Sequence, residues 1–191
     1  MDEKPFLPLN SSCDVLFLSD YNSLDFSFDF SKYEKNILIA YSAGVFMSAF
    51  LSTKLPEFDL KIAVNGVLPL FDLALGLPEK SVDLMKNVSL QNYMELRKTL
   101  ITDVNHLEKF NNNQPFRDIE SSLNELSALC SYYSQEISPI DFDKIIIAED
   151  DELLPLKHQL SAWSKPKNIK TIIGGHFPFY NFSSFDEIIN L

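Results

Sequence analysis

The sequence predicts an α/β fold: a mostly parallel sheet with helices on both faces and a helical insertion in the middle. Three observations carry that expectation. Short apolar runs recur at residues 14–18, 36–40, 60–64, 145–148 and 171–173, each too brief for a helix and most of them rich in β-branched residues. They lie far apart along the chain, so they join through crossovers, as parallel strands must. From residue 78 to residue 133 the apolar spacing changes to three and four residues, which is the helical period.

At 191 residues the chain fits one domain, residues 1–191, with the helical cap at 78–133 inserted within it. Its 46% hydrophobic and 13% aromatic content supplies enough core to offset the entropy of ordering the chain. Residues 1–10 carry acids and two prolines rather than a basic start and an apolar run, so they do not read as a signal peptide. The run at 14–18 reads as the first strand. Residues 21–35, where Leu24, Phe26, Phe28 and Phe30 alternate with Asp25 and Asp29, read as extended chain along the core edge. The run at 36–40 lacks polar alternation, as expected of a central parallel strand buried on both faces. Ser42, Ala43 and Gly44 break it, and the apolar stretch from Val45 to Thr53 reads as a buried helix. After the strand at 60–64, Leu84, Val88, Tyr93, Leu96 and Leu100, then Ile119, Leu123, Leu126 and Leu129, fall at helical spacing on either side of a polar loop at 111–114.

Sixteen Lys and Arg stand against 27 Asp and Glu, a net charge of −11. Binding a phosphate backbone depends on cations that displace counterions, so no nucleic-acid partner is expected. No run approaches the roughly 18 apolar residues that span a bilayer, and no membrane partner is expected. Cys13 and Cys130 sit far apart in apolar surroundings; they read as small buried thiols and fit a reducing cytoplasm.

Residues 40–44, Ala-Tyr-Ser-Ala-Gly, resemble the G-x-S-x-G elbow of α/β-hydrolases, in which a serine sits on a strained strand-to-helix turn. Ala40 stands where the motif has its first glycine. The five residues alone fit a serine that merely caps the next helix equally well, and the strand before and helix after favour a nucleophile. A hydroxyl needs a base to attack at neutral pH. Of three histidines, His106 and His158 read as solvated. His176 follows a strand and the pair Gly174-Gly175, so it would emerge at the sheet edge where sites form. The base in turn needs a carboxylate to fix its tautomer, and four consecutive acids, Glu149, Asp150, Asp151 and Glu152, end the preceding strand. Asp151, four residues before Pro155, is the expected partner, with Asp150 the near alternative and Asp72 the distant one. This chemistry needs no metal and no cofactor, and none is expected.

Four segments stand together as a set: 25–30 with Tyr33; 39–45, Ile-Ala-Tyr-Ser-Ala-Gly-Val; 63–69, Ala-Val-Asn-Gly-Val-Leu-Pro; and 175–179, Gly-His-Phe-Pro-Phe. Across nearly the whole chain they resemble the short pimeloyl-[acyl-carrier protein] methyl ester esterases of biotin synthesis. The resemblance implies hydrolysis of a methyl ester at the end of a pimeloyl chain carried on acyl carrier protein, releasing methanol. It implies Ser42 as nucleophile, His176 as base and then acid, Asp151 as the residue that orients it, and the Ala43 N–H as one oxyanion donor. Tyr41, Leu84, Val88, Tyr93, Leu96, Leu100 and Phe177 are the expected shelter for the acyl chain, although core packing explains any one of them as well. Lys80, Lys86, Arg97, Lys98, Lys109 and Arg117 fall in the cap and would supply the basic surface an acidic carrier needs.

Members of that family begin with a strand and a glycine-bearing loop that supplies the second oxyanion donor. Here no glycine precedes Gly44, so this first strand region reads as missing. An unpaired strand edge then remains, an expected site for a homodimer. The same departure supports a competing reading, a catalytically silent hydrolase-fold protein that binds an acyl ligand or a partner. A broader acyl thioesterase would share the first reading's chemistry.

Overall fold

The computed structural model describes residues 1–133, 135, 137–138, 140–163 and 168–191. Its centre is an all-parallel sheet in the order β1 (Ile37–Tyr41), β2 (Leu60–Val64), β3 (Lys144–Ala148) and β4 (Asn168–Ile172). Tyr41 lies opposite Val64, Val64 opposite Ile146, and Ala148 opposite Ile172. The carboxyl ends therefore share one edge, with β3 and β4 reaching two residues further. Helices α1 (Ala43–Phe50), α6 (Leu156–Ala162) and α7 (Phe185–Asn190) follow β1, β3 and β4. Between β2 and β3 come α2 (Glu79–Lys86), α3 (Leu90–Lys98), α4 (Val104–Asn112) and α5 (Ile119–Tyr132). Ser89, Asp103, Asp118 and Ser184 each accept a first-turn N–H with the side chain, which fixes where α3, α4, α5 and α7 begin.

Alternation along the strands explains the unbroken apolar runs. Ala40, Ala63, Ile145 and Ile147 pack in one cluster with Val45, Leu96, Leu126 and Leu154, whereas Ile62, Val64 and Ile146 pack in another with Phe6, Phe177, Phe179 and Ile188. Successive side chains point to opposite faces, and both faces are dry, so neither set can be polar. All five residues of β3 are buried, and Lys144 at its start reaches out to the Ile189 carbonyl at 2.7 Å. Near the end of β1, Phe6 packs against Phe177 and Phe179 with ring centroids 5.2 and 4.8 Å apart.

Three strand expectations change. β1, expected to be central and buried on both faces, is an edge strand in which only Ala40 is fully buried. Residues 14–18 form no strand; Val15, Leu16 and Leu18 are exposed. β1 is the edge of the sheet and is bonded on one side to β2, and an apolar run without a neighbouring strand has nothing to ladder with. The last strand covers Asn168–Ile172 rather than 171–173, and its residues are exposed or half-buried. At an edge the ladder tolerates Asn168 and Lys170, whose polarity hides the strand from a search for apolar runs. The cysteines also differ from expectation: Cys13 is exposed, Cys130 is half-buried, and both are free. Among the described residues no helix is long and apolar enough to cross a membrane.

Candidate active site

β1 ends and α1 begins within a single residue, so Ser42 has to turn the chain in place. It does so at φ 54° and ψ −123°, a conformation that costs a non-glycine residue on the order of 1–3 kcal/mol and survives only where the surroundings enforce it. The Ser42 N–H donates to the Val64 carbonyl and the Val45 N–H to the Ser42 carbonyl, both at 3.0 Å. Gly66, just beyond β2, makes the room: a Cβ there would lie 2.5 Å from both the Ser42 carbonyl oxygen and Val45 Cγ2. A Cβ on Gly44 would meet only the Tyr21 hydroxyl, at 3.4 Å. The glycine this turn cannot lose is therefore on the neighbouring strand's loop. Ala40, at the motif's first position, is buried in the core cluster with Val45 and Ala63.

Ser42 stands at the N-cap of α1 and makes no side-chain cap bond. Its Oγ lies 2.8 Å from His176 Nε2, and His176 Nδ1 lies 2.8 Å from Asp151 Oδ2. His176 is 1% exposed and Asp151 4%. The carboxylate is fully engaged: Oδ1 accepts the Leu153 and Leu154 N–H groups at 3.0 and 2.8 Å, and Oδ2 also accepts from Gln159 Nε2 at 3.2 Å. The spacing to Pro155 has a physical basis here, because Asp151 folds the chain before α6 into a turn around its own side chain. An ionised carboxylate only accepts, so this network assigns the imidazole proton to Nδ1 and leaves the Nε2 lone pair facing the Ser42 hydroxyl.

The structure places the alternatives elsewhere. The side chain of Asp150 is exposed, and its N–H donates to the Gly174 carbonyl at 3.0 Å. Asp72 is exposed and accepts the Ala74 and Leu75 N–H groups. His106 is half-buried, 3.8 Å from Asp103. His158, read as solvated, is half-buried like His106, with its Nδ1 2.7 Å from the Gly76 carbonyl. Sequence reasoning missed two wholly buried amides, Asn65 and Gln159. Asn65 had a signal, since Asn-Gly after a strand marks a turn with a left-handed residue, and its φ is 42°. Gln159 carried none.

A cavity of about 180 Å³ opens beside Ser42, Ala43 and His176. Leu70, Leu77, Leu153 and Leu154 line it from the sheet's loops, while Met85, Tyr93, Leu96, Leu100 and Leu126 line it from the segment holding α2–α5. Tyr93, Leu96 and Leu100 thus lie on its wall. Tyr41, Leu84, Val88 and Phe177 do not: Leu84 and Val88 pack against the cluster around Ala40, and Tyr41 and Phe177 against Phe6 and Phe179. Tyr41 follows Ala40 on a strand, so parity sends it to the opposite face. Its hydroxyl is buried without a partner among the described residues, and burial, then the Asp151 charge, holds it well above the usual tyrosine range. The Ala43 N–H, first in α1, has no acceptor among the described residues, as helix starts leave their first donors free.

The basic residues divide. Arg117 turns inward, with Nη1 2.8 Å from Glu125 Oε2 and Nη2 3.0 Å from Asp20 Oδ1, so it is not part of an outer basic surface. Arg97 lines the cavity and donates to Gln114. Lys98 pairs with Glu95 at 2.6 Å, and Lys86 and Lys109 sit over the rings of Phe71 and Tyr180. Lys80, Lys86 and Lys98 remain exposed. Among the described residues no group of three or more His, Cys, Asp or Glu is arranged to hold a metal ion.

A parallel sheet that delivers a serine on the sharp turn after its first strand, and a carboxylate and an imidazole beyond its third and fourth, has the α/β-hydrolase fold. Within that class the chain belongs to the pimeloyl-ACP methyl esterase BioG family, whose model matches residues 3–188. It is 34% identical over 190 residues to a malonyl-[acyl-carrier protein] O-methyltransferase of Bacteroides fragilis, covering 93% of this chain and 37% of that protein. The chain therefore spans just over a third of that relative's length. The crystal structure of BioG from Haemophilus influenzae superposes with a TM-score of 0.87 at 21% identity, covering 97% of this chain and 88% of that one. A lipase-esterase related protein from Clostridium acetobutylicum superposes with a TM-score of 0.53 at 22% identity, covering 83% and 67%. At these identities the two structures speak for the fold.

Proposed function

We propose that this chain is a serine carboxylic-ester hydrolase that cleaves the methyl ester of a pimeloyl chain carried on acyl carrier protein, in biotin synthesis. The observation that carries the reading is the continuous hydrogen-bonded path from Asp151 through His176 to Ser42 at the mouth of an apolar cavity. Ser42 Oγ attacks the ester carbonyl carbon as its proton passes to His176 Nε2. The imidazolium, held and stabilised by Asp151, then protonates the departing methoxide, giving methanol and an acyl-enzyme. Water repeats the sequence and releases the free acid. The Ala43 N–H serves as one oxyanion donor.

In this reading residues 1–191 act as one hydrolase domain, and 78–133 form a cap whose Tyr93, Leu96 and Leu100 shelter the methylene chain. The two free cysteines, one of them exposed, suit a reducing cytoplasm. A catalytically silent hydrolase-fold protein that binds an acyl ligand or a partner is the competing reading. Incubation with pimeloyl methyl ester on its carrier separates the two readings. The protein is expected to release the acid, and Ser42→Ala and His176→Ala to lose on the order of 10⁴-fold in rate. Equal hydrolysis by all three proteins would sink the mechanism.

A further inference from the structure

We propose that Asn65 is a positioning residue that holds the His176 loop against the sheet and so sets where the imidazole meets Ser42; this rests on the reading of His176 as the base. Asn65 stands one residue past β2 and is wholly buried. Its Nδ2 donates to the carbonyls of Gly175 and His176 at 3.1 and 2.8 Å, and its Oδ1 accepts the Ala148 N–H at 2.7 Å. Its own N–H donates to the Ile146 carbonyl at 3.0 Å. The Ala148 N–H can meet only an oxygen, so the amide's orientation is fixed by its partners. One side chain thus joins the ends of β2 and β3 to the loop that carries the base, and β3 is the strand that delivers Asp151 three residues later.

The loop needs such an anchor from outside itself. Gly174, at φ 130°, and Gly175 have no side chains to pack, and Gly175 cannot gain one, because a Cβ there would lie 2.4 Å from Thr102 Oγ1. The neighbouring bonds, Phe177 N–H to the Leu100 carbonyl at 2.8 Å and Asp150 N–H to the Gly174 carbonyl at 3.0 Å, hold the loop on either side of His176. Among the described residues the carbonyls of Gly175 and His176 are taken by Asn65. No apolar residue could hold them, and few polar ones adopt a left-handed backbone.

The test uses two variants of the full chain. Asn65→Gly keeps the backbone conformation and deletes the amide. Asn65→Asp keeps the shape and the oxygen that takes the Ala148 N–H, and turns the donor into an oxygen facing two carbonyls; it also serves should the glycine variant fail to fold. The readouts are the inactivation rate constant and the affinity constant for a fluorophosphonate, together with the proton NMR resonance of the His176 Nδ1–H. Circular dichroism establishes the folded fraction. For both variants the inactivation constant per folded molecule is expected to fall about 100-fold, the size of effect an ångström of misplacement produces. The affinity should stay within about twofold, and the Nδ1 resonance should shift or broaden. A clamp that served stability alone would lower the melting temperature and leave the inactivation constant in place, and that result overturns the proposal. If wild type resists the reagent while its Nδ1 resonance is present and Asn65→Gly loses it, the clamp stands and the reading of Ser42 fails. An Nδ1 resonance unchanged in both variants removes the clamp.

Discussion

The wall of the cavity that carries Ser42 and His176 differs from the wall facing it in how its residues are held. At the sheet edge the restraints are directional: Ser42 is bonded to Val64 and Val45, Asp151 accepts from four donors, and Asn65 ties the His176 loop to two strands. Across the cavity, Met85, Leu96 and Leu126 are held by burial in the shared core. A hydrogen bond is lost within a few tenths of an ångström, whereas apolar packing degrades in proportion to the area uncovered. Rate is accordingly expected to reside in the first wall and discrimination among acyl chains in the second.

The largest effect that sharpens this contrast is expected from Gly66→Ala, which touches no reacting atom. The added methyl would press on the Ser42 carbonyl and on Val45, in a turn already off the favoured backbone regions. Labelling by a fluorophosphonate should slow by about 10²-fold, with a loss of roughly 1–3 kcal/mol in urea denaturation from overpacking. Gly44→Ala, whose Cβ would make ordinary contact, should change both far less. If Gly44→Ala proves the worse variant, the space around Ser42 is set by the turn itself rather than by the loop after β2.

Next in size is a change on the facing wall. Tyr93 is half-buried on the cavity surface, with the Arg97 guanidinium 5.8 Å from its ring centroid. Tyr93→Ala removes apolar area worth about 1–2 kcal/mol of acyl-chain binding, which is roughly 5- to 30-fold in KM. The effect should fall on KM more than on kcat, the pattern of binding shared equally by ground state and transition state. Steady-state kinetics with esters of increasing chain length measure it, and the penalty should grow with the chain. A penalty confined to kcat would mean that the helical wall positions the reacting bond, and the division of labour would fail.

The two walls also differ in what their sequences disclose. β1, β2 and β3 are legible because their apolar residues dominate short runs, with Lys61 and Lys144 near the starts of β2 and β3, and Ser42, His176 and Asp151 stand out because few residue types suit the proposed chemistry. Residues 14–18 look like a strand in the same way as 37–41 do, yet pairing is a fact about neighbours that a run of apolar residues does not contain. Tyr41 and Phe177 look like acyl-pocket residues until strand parity and the aromatic cluster around Phe6 take them to the other face. Arg117 looks like part of a docking surface until the fold brings Glu125 and Asp20 to it. Gln159 and Asn65 left weak traces or none, because one buried amide has no period.

The smallest expected effect concerns Tyr41, whose ring lies against His176, at 5.3 Å between centroids. Burial raises the hydroxyls of Tyr41, Tyr133 and Tyr21 above their ordinary range. The unfolded chain releases tyrosine protons near pH 10, while the folded chain retains these three beyond it. Above about pH 10 the unfolded state binds fewer protons, so stability should fall with pH, at most about 1.4 kcal/mol per unit for each group, and should be unaffected by them below that point. The Tyr41 hydroxyl has no partner to lose among the described residues, so Tyr41→Phe should alter stability at pH 7 by less than about 0.5 kcal/mol. It should remove one group's share of the alkaline slope. Urea midpoints between pH 7 and 11 test both statements. A marked loss at pH 7, or slower labelling of Ser42 in Tyr41→Phe, would show that the hydroxyl does have a partner. The directional network at the sheet edge would then extend one residue further back along β1.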